Sequence, residues 1–300
     1  GAIMRMKPKH VGVVFVLACL VVFSLGLSQA LASNHMKNAG QAELRVGLMI
    51  GSMQADMLEG VEEAFAYLLL DSKLEKSEFF DKMRDLDAQA RKFKKLAKQH
   101  SAGKNILELF GGVQAARVKL EKAANRMFAS FEKTGAPVQT DIMMFEDAVD
   151  QLTGLWETLM QAGVSESLRK RFIDDKQAAS SMHLHHMHAA LLEAVEEAFA
   201  YLLLNEPVER ADFVKNMKDF NRLAAEFKAM GHLYKPGNER HAVQFHKMMA
   251  AKEMVSASAQ AMFWDFTREG TPDHEDLLEF EHAVDAFGVS FEQLLEDYIQ

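Results

Sequence analysis

The sequence predicts an all-α protein, built as two tandem up-down-up-down four-helix bundles after an N-terminal signal peptide. Three observations carry this. The stretch Val61–Leu70, VEEAFAYLLL, returns letter for letter at Val195–Leu204, 134 residues later. Apolar residues recur at helical spacing with few interruptions after residue 42. The interruptions are short Gly, Pro, Asn or Asp turns, the spacing expected of antiparallel helix neighbours.

Residues 1–32 read as a signal peptide. Met4 to His10 is basic, Val11 to Leu27 is apolar, and Ala30-Leu31-Ala32 offers small residues to a signal peptidase. Cleavage near Ala32 would deliver a periplasmic or secreted protein; an uncleaved membrane anchor is the alternative, although the apolar run is short for a span. Residues 33–42 are polar and expected to be flexible.

The first bundle is expected over residues 43–163. Helix one runs from about Glu43 to Leu70 and stops at Asp71-Ser72-Lys73. Helix two runs from about Lys76 to His100, and helix three from about Asn105 to Lys133. Gly135 and Pro137 end the third helix, and the fourth follows to about Ala162. A helix-compatible linker covers residues 164–180. The second bundle, residues 181–300, repeats the plan with turns at Asn205-Glu206-Pro207, Lys235-Pro236-Gly237 and Gly270-Thr271-Pro272. Phe79, Met83 and Phe93 find Phe213, Met217 and Phe227, whereas Phe128 and Phe145 find Phe263 and Phe280 at an offset of 135, one residue having slipped in a loop. This is an internal duplication.

Composition excludes several kinds of chemistry. Net charge is −9, and the leader is basic, so the rest is more acidic still. Such a surface repels a phosphate backbone, and no nucleic-acid partner is expected. The one cysteine, Cys19, lies in the leader. Disulfides, thiolate catalysis, cysteine zinc sites and CxxCH haem attachment are therefore excluded downstream of it. No phosphate loop, dinucleotide fingerprint or nucleophile elbow appears, so no catalytic residue is proposed and the chain is not expected to be an enzyme.

Histidine is the asymmetric feature. The second repeat holds nine, and four crowd into Met182-His-Leu-His-His-Met-His188. At 100° per residue His188 joins the apolar stripe of Leu184, Leu191 and Val195, with His185 on its edge and His183 and His186 outside. In an up-down-up-down bundle His241 and His246 begin the third helix at the same end. Imidazole is the commonest transition-metal ligand, and thioethers suit soft metals. The metal-ligand candidates are thus His183, His185, His186, His188, His241 and His246, with Met187 and Met248 as further cofactor-binding candidates and copper, zinc or nickel as the metal. Lys252 and its counterpart Arg117 suggest a polar layer at the same level. The recurring pairs Glu62-Glu63 and Glu196-Glu197 read as edges of apolar stripes.

The segment Glu62-Glu63-Ala64-Phe65-Ala66-Tyr67-Leu68, followed by a polar turn and Phe79 to Met83, resembles the soluble periplasmic four-helix-bundle cytochromes of the b-type and c-prime kind. The resemblance implies an exported bundle holding haem at one open end. In b-type members the ligands are a Met early in helix one, where Met53, Met182 and Met187 stand here, and a His late in helix four. Trp156 to Ala162 and Phe291 to Gln300 contain no His, and the c-prime attachment motif is absent.

The expected function is binding: an exported bundle whose second repeat takes a transition metal or b-type haem. The alternatives are a cofactor-free structural or interaction module of the envelope, with a protein partner or a second copy, and a periplasmic ligand-sensing bundle.

Overall fold

A computed structural model describes residues 39–100, 102–164, 176–231, 233 and 238–299. The expected leader and most of the linker lie outside the described residues. Eight helices make up the described chain, and no strand occurs among those residues. They are α1 (Ala39–Leu70), α2 (Lys73–Ala97), α3 (Gly103–Thr134), α4 (Gln139–Gly163), α5 (Lys176–Leu204), α6 (Pro207–Ala229), α7 (Glu239–Glu269) and α8 (His274–Ile299). No described helix is long and apolar enough to cross a membrane.

Helix ends follow local chemistry. α3 and α7 each close on a glycine in the left-handed region, Gly135 at φ 69° and Gly270 at φ 75°. A Cβ is disfavoured there, which is why glycine occupies both positions. α1 and α5 close instead on Asp71 (φ 51°) and Asn205 (φ 56°), residue types that tolerate this region. Pro207 opens α6, where its missing N–H costs nothing.

Within each repeat the first two helices form one antiparallel pair and the last two another, and the pairs close around an aromatic core. The two cores match closely. Phe65 meets Phe145 edge-on at 5.2 Å, and Phe199 meets Phe280 at 5.2 Å. Tyr67 meets Phe128 at 5.2 Å, and Tyr201 meets Phe263 at 5.1 Å. A cation caps each aromatic group, Lys76 lying 5.7 Å from the Tyr67 ring and Arg210 lying 5.9 Å from that of Tyr201. The duplication is thus one of side-chain packing as well as of sequence.

The repeats are not separate beads. α1 packs on α5 about as extensively as each packs within its own repeat. A Cβ on Gly47 would lie 3.4 Å from the Met182 sulfur, and one on Gly51 would lie 3.1 Å from Cβ of His185. Residues rising together on both helices meet, so α1 and α5 run parallel. Reciprocal contacts, α1 toward α8 and α5 toward α4, make the seam a pseudo-twofold interface. Beyond the stripe that includes Leu184, Leu191 and Val195, α1 and α5 are buried on nearly every side. A helix apolar all round belongs at the centre of a larger assembly.

Candidate functional site

The predicted histidines do not converge on one point. His183, on the outside of α5, has its Nε2 3.0 Å from Glu226 Oε2. His186 is exposed. His246 is exposed on α7 beside Phe245 of the same helix, and His241 is half-buried near the start of α7. Met187 and Met248 are fully buried in the apolar core. Among the described residues, no group of three close metal-ligating side chains of the His, Cys, Asp and Glu types includes a histidine.

His185 and His188 are the pair that the structure brings together, and they face the seam rather than α7. Both are only 5% exposed. The His188 ring lies 4.1 Å from that of Phe291, and its Nε2 is 3.7 Å from Glu59 Oε1. His185 Nδ1 is enclosed with no hydrogen-bond partner. Burial holds both imidazoles neutral, pushing His185 down to about 3 and His188 down to about 4. Around them, Lys82 donates to Glu59 and Gln89 to Asp56. The two buried cations reach outward to carboxylates at the surface: Arg117 pairs with Asp87 at 3.0 Å and with Glu121 at 3.3 Å, and Lys252 reaches Glu253 at 3.1 Å.

The larger polar feature of the seam is acidic and occurs twice. Glu62 and Glu63 of α1 share one another's field with Glu75 and Glu78 of α2 and with Glu281 and Asp285 of α8. In the second cluster Glu196 and Glu197 of α5 meet Glu209 and Asp212 of α6 and Glu146 and Asp150 of α4. Each cluster therefore draws two helices from one repeat and one from the other. Every carboxylate of the first has its counterpart in the second, at an offset of 134 for α1 and α2 and of 135 for α4 and α8. Outside the clusters Glu59, Asp85, Asp141 and Glu157 are also kept, as Glu193, Asp219, Asp276 and Glu292, but Asp56, Asp71, Asp81, Asp87, Glu108, Glu121, Glu132 and Asp147 have become Ala, Asn, Lys, Asn, Val, Ser, Thr and His.

The stripe-edge reading of Glu62 and Glu196 is corrected here. They are 8% and 6% exposed, because the other repeat covers that edge. Burial, then neighbouring carboxylates, raises both far above the usual range. The same causes push Glu78 and Glu146 up to about 7, Glu281 to about 8 and Glu197 to about 9. Glu78 Oε1, Glu146 Oε2 and Glu197 Oε2 are shut from water with no partner. Few basic groups approach the clusters: Lys82 beside Glu59 and His282 near Asp285 in the first, and Lys215, 3.9 Å from Asp212, in the second. One oxygen each from Glu63, Glu75 and Glu78 lie within 4.8 Å of one another, as do oxygens from Glu197, Glu209 and Asp212. The available signal was the exact survival of both Glu pairs in the two copies.

No protein-family model, curated protein or solved structure matches the chain.

Proposed function

We propose that this is an exported helical protein that binds metal ions and carries out no reaction of its own, with its ligands along the seam between the repeats. The observation that carries this reading is the pair of matched acidic clusters. Concentrating six carboxylates with so little counter-charge costs free energy, and duplication has kept all six while most acids elsewhere changed. Bound cations would offset that cost. Export is supported by the basic, apolar and small-residue order of the first 32 residues. A b-type haem has less support, because the space beside His188 is filled by Phe287 and Phe291, with ring centres 6.0 Å and 4.1 Å away.

A second reading, a cofactor-free interaction module, is favoured by hydrogen bonds between carboxyl groups, as in Glu63 with Glu75, Glu75 with Glu78, and Glu197 with Glu209. Glu196 and Glu146 are hydrogen-bonded to one another, which requires a shared proton. Protons alone could then neutralise the clusters. Calorimetric titration of the chelator-stripped chain with calcium, manganese, zinc, copper and nickel separates the two. Metal binding predicts saturable heat and a higher unfolding temperature, with about 2.7 kcal/mol of added stability at 100 times Kd. Silence with all five metals leaves the cofactor-free module.

A further inference from the structure

We propose that a second copy of this chain docks on the outer face of α7, helix against helix and antiparallel. The contact is separate from metal binding, since α7 gives no carboxylate to either acidic cluster.

The face is apolar and open. Val243, Ala250, Met254, Ala257, Ala261 and Trp264 are all exposed, Met254 at 58% and Trp264 at 69%. At 100° per residue they fall within an arc of about 80°. Together with Lys247 and Arg268 they step along α7 by four and three residues in turn, the spacing of a coiled-coil seam. Contiguous exposed apolar surface of this kind marks an interaction site. The duplicate helix lacks it. At the offset of 135, Lys119, Lys122 and Arg126 of α3, all exposed, stand where α7 has Met254, Ala257 and Ala261. Glu108 and Ala129 stand where α7 has Val243 and Trp264. Between Lys247 and Arg268 one fully exposed charge remains, Glu253, and it is paired with Lys252 at 3.1 Å.

Charge makes a second copy the occupant. Near a twofold axis each residue meets its own counterpart, so a charge there faces its like. The three cations of α3 would oppose such a contact, and α7 has none of the three. The chain carries a net charge of −9, so two copies repel unless they meet through a face cleared of charge. The ends of the helix also match. Glu239, Arg240 and Lys247 leave the start of α7 net positive, and Asp265, Arg268 and Glu269 leave its end net negative. Antiparallel pairing sets each end against its opposite, whereas parallel pairing sets like against like. With the axis at Ala257, Trp264 of one copy lies over Ala250 of the other, a large side chain against a small one. The strip is about 32 Å long and about 10 Å wide, so the pair belongs to the weak, reversible class.

Sedimentation equilibrium of the full chain from about 1 μM to about 1 mM should show monomer passing to dimer. Of the two tryptophans Trp156 is 2% exposed, so acrylamide quenching reports Trp264 and should fall as the dimer forms. Met254→Lys, Ala257→Lys and Ala261→Arg together write the α3 residues into exposed positions of α7. That triple variant should weaken the dimer about 100-fold, with circular dichroism checking its fold. Ala257→Lys and Ala257→Glu should each dimerise poorly alone and well when mixed; no gain on mixing overturns the antiparallel axis. A dimer unchanged in the triple variant overturns the place, whether the apolar leader or another surface then holds the copies. A monomer at every concentration overturns the second copy. Trp264 already shielded in that monomer would assign the face to another segment of the chain, and Trp264 shielded only by lipid vesicles would assign it to a membrane.

Discussion

A buried titratable side chain ties the stability of the molecule to pH, and the seam holds such groups of both kinds. Burial depresses His185 to about 3 and His188 to about 4. Their contribution to stability is complete above the unfolded value near 6.5 and is lost as pH falls toward 4 and 3. Glu193, held up by burial and by Glu157, titrates at about 7, and Glu292, held up by burial and by Glu59, at about 8. Theirs is complete below about 4.5 and is lost as pH rises through 7 to 8. The metal-free chain is therefore expected to melt highest between about pH 4.5 and 6.5. Replacing both Glu193 and Glu292 by Gln should flatten the alkaline side of a calorimetric pH series; an unchanged slope would exclude them as its source. His100 shows the opposite, structural use of an imidazole. Its Nδ1 accepts from the Ala102 N–H at 2.9 Å, and its Nε2 donates to the Gly163 carbonyl at 3.1 Å. His100→Phe strands both backbone groups and should cost about 1–3 kcal/mol in urea unfolding.

At the scale of helices, close approach decides how α1 meets the end of α4. Gly47 faces Val164 so tightly that a Cβ would lie 2.6 Å from its Cγ2, and at Gly163 a Cβ would lie 2.8 Å from Ile50 Cδ1. Gly47→Leu should destabilise by about 1–3 kcal/mol through overpacking, read from the denaturation midpoint. Gly111→Ala, inside α3 where a Cβ meets nothing within 4 Å, should instead stabilise by up to about 1 kcal/mol, the contrasting control. The sequence made the helices legible because Gly135, Gly270 and Pro207 punctuate them and the apolar period is regular. Starts and ends moved by only a few residues; α2, for instance, begins at Lys73 rather than near Lys76. The burial of α1 and α5 on several sides was not legible. A periodicity argument finds the face turned toward a helix's own bundle, and a second covered face made of Gly47, Gly51 and Ala55 looks like neutral surface until its partner is known. Glu62 and Glu196 were misread for the same reason: nothing local says that the opposite repeat lies over them. The histidines were sorted correctly into inward and outward, but the neighbour of the inward pair proved to be α1 and α8, not α7.

At the scale of the whole molecule, the two repeats pack as a dimer packs, through equivalent helices lying side by side. Residues 39–164 and 176–300, produced as separate chains, are expected to recombine one to one, with native mass spectrometry reporting the complex. Persistence as two independent monomers would show that the seam needs the linker. The mixed pair should also outcompete either fragment with itself. Gly51 and His185 occupy the same place in the repeat, 134 residues apart, and they touch. Two copies of the first half would set glycine against glycine and leave a gap there. Two copies of the second would drive one imidazole into another. Joining the halves on one polypeptide let a knob and its socket evolve at a spot where identical subunits must each carry the same shape.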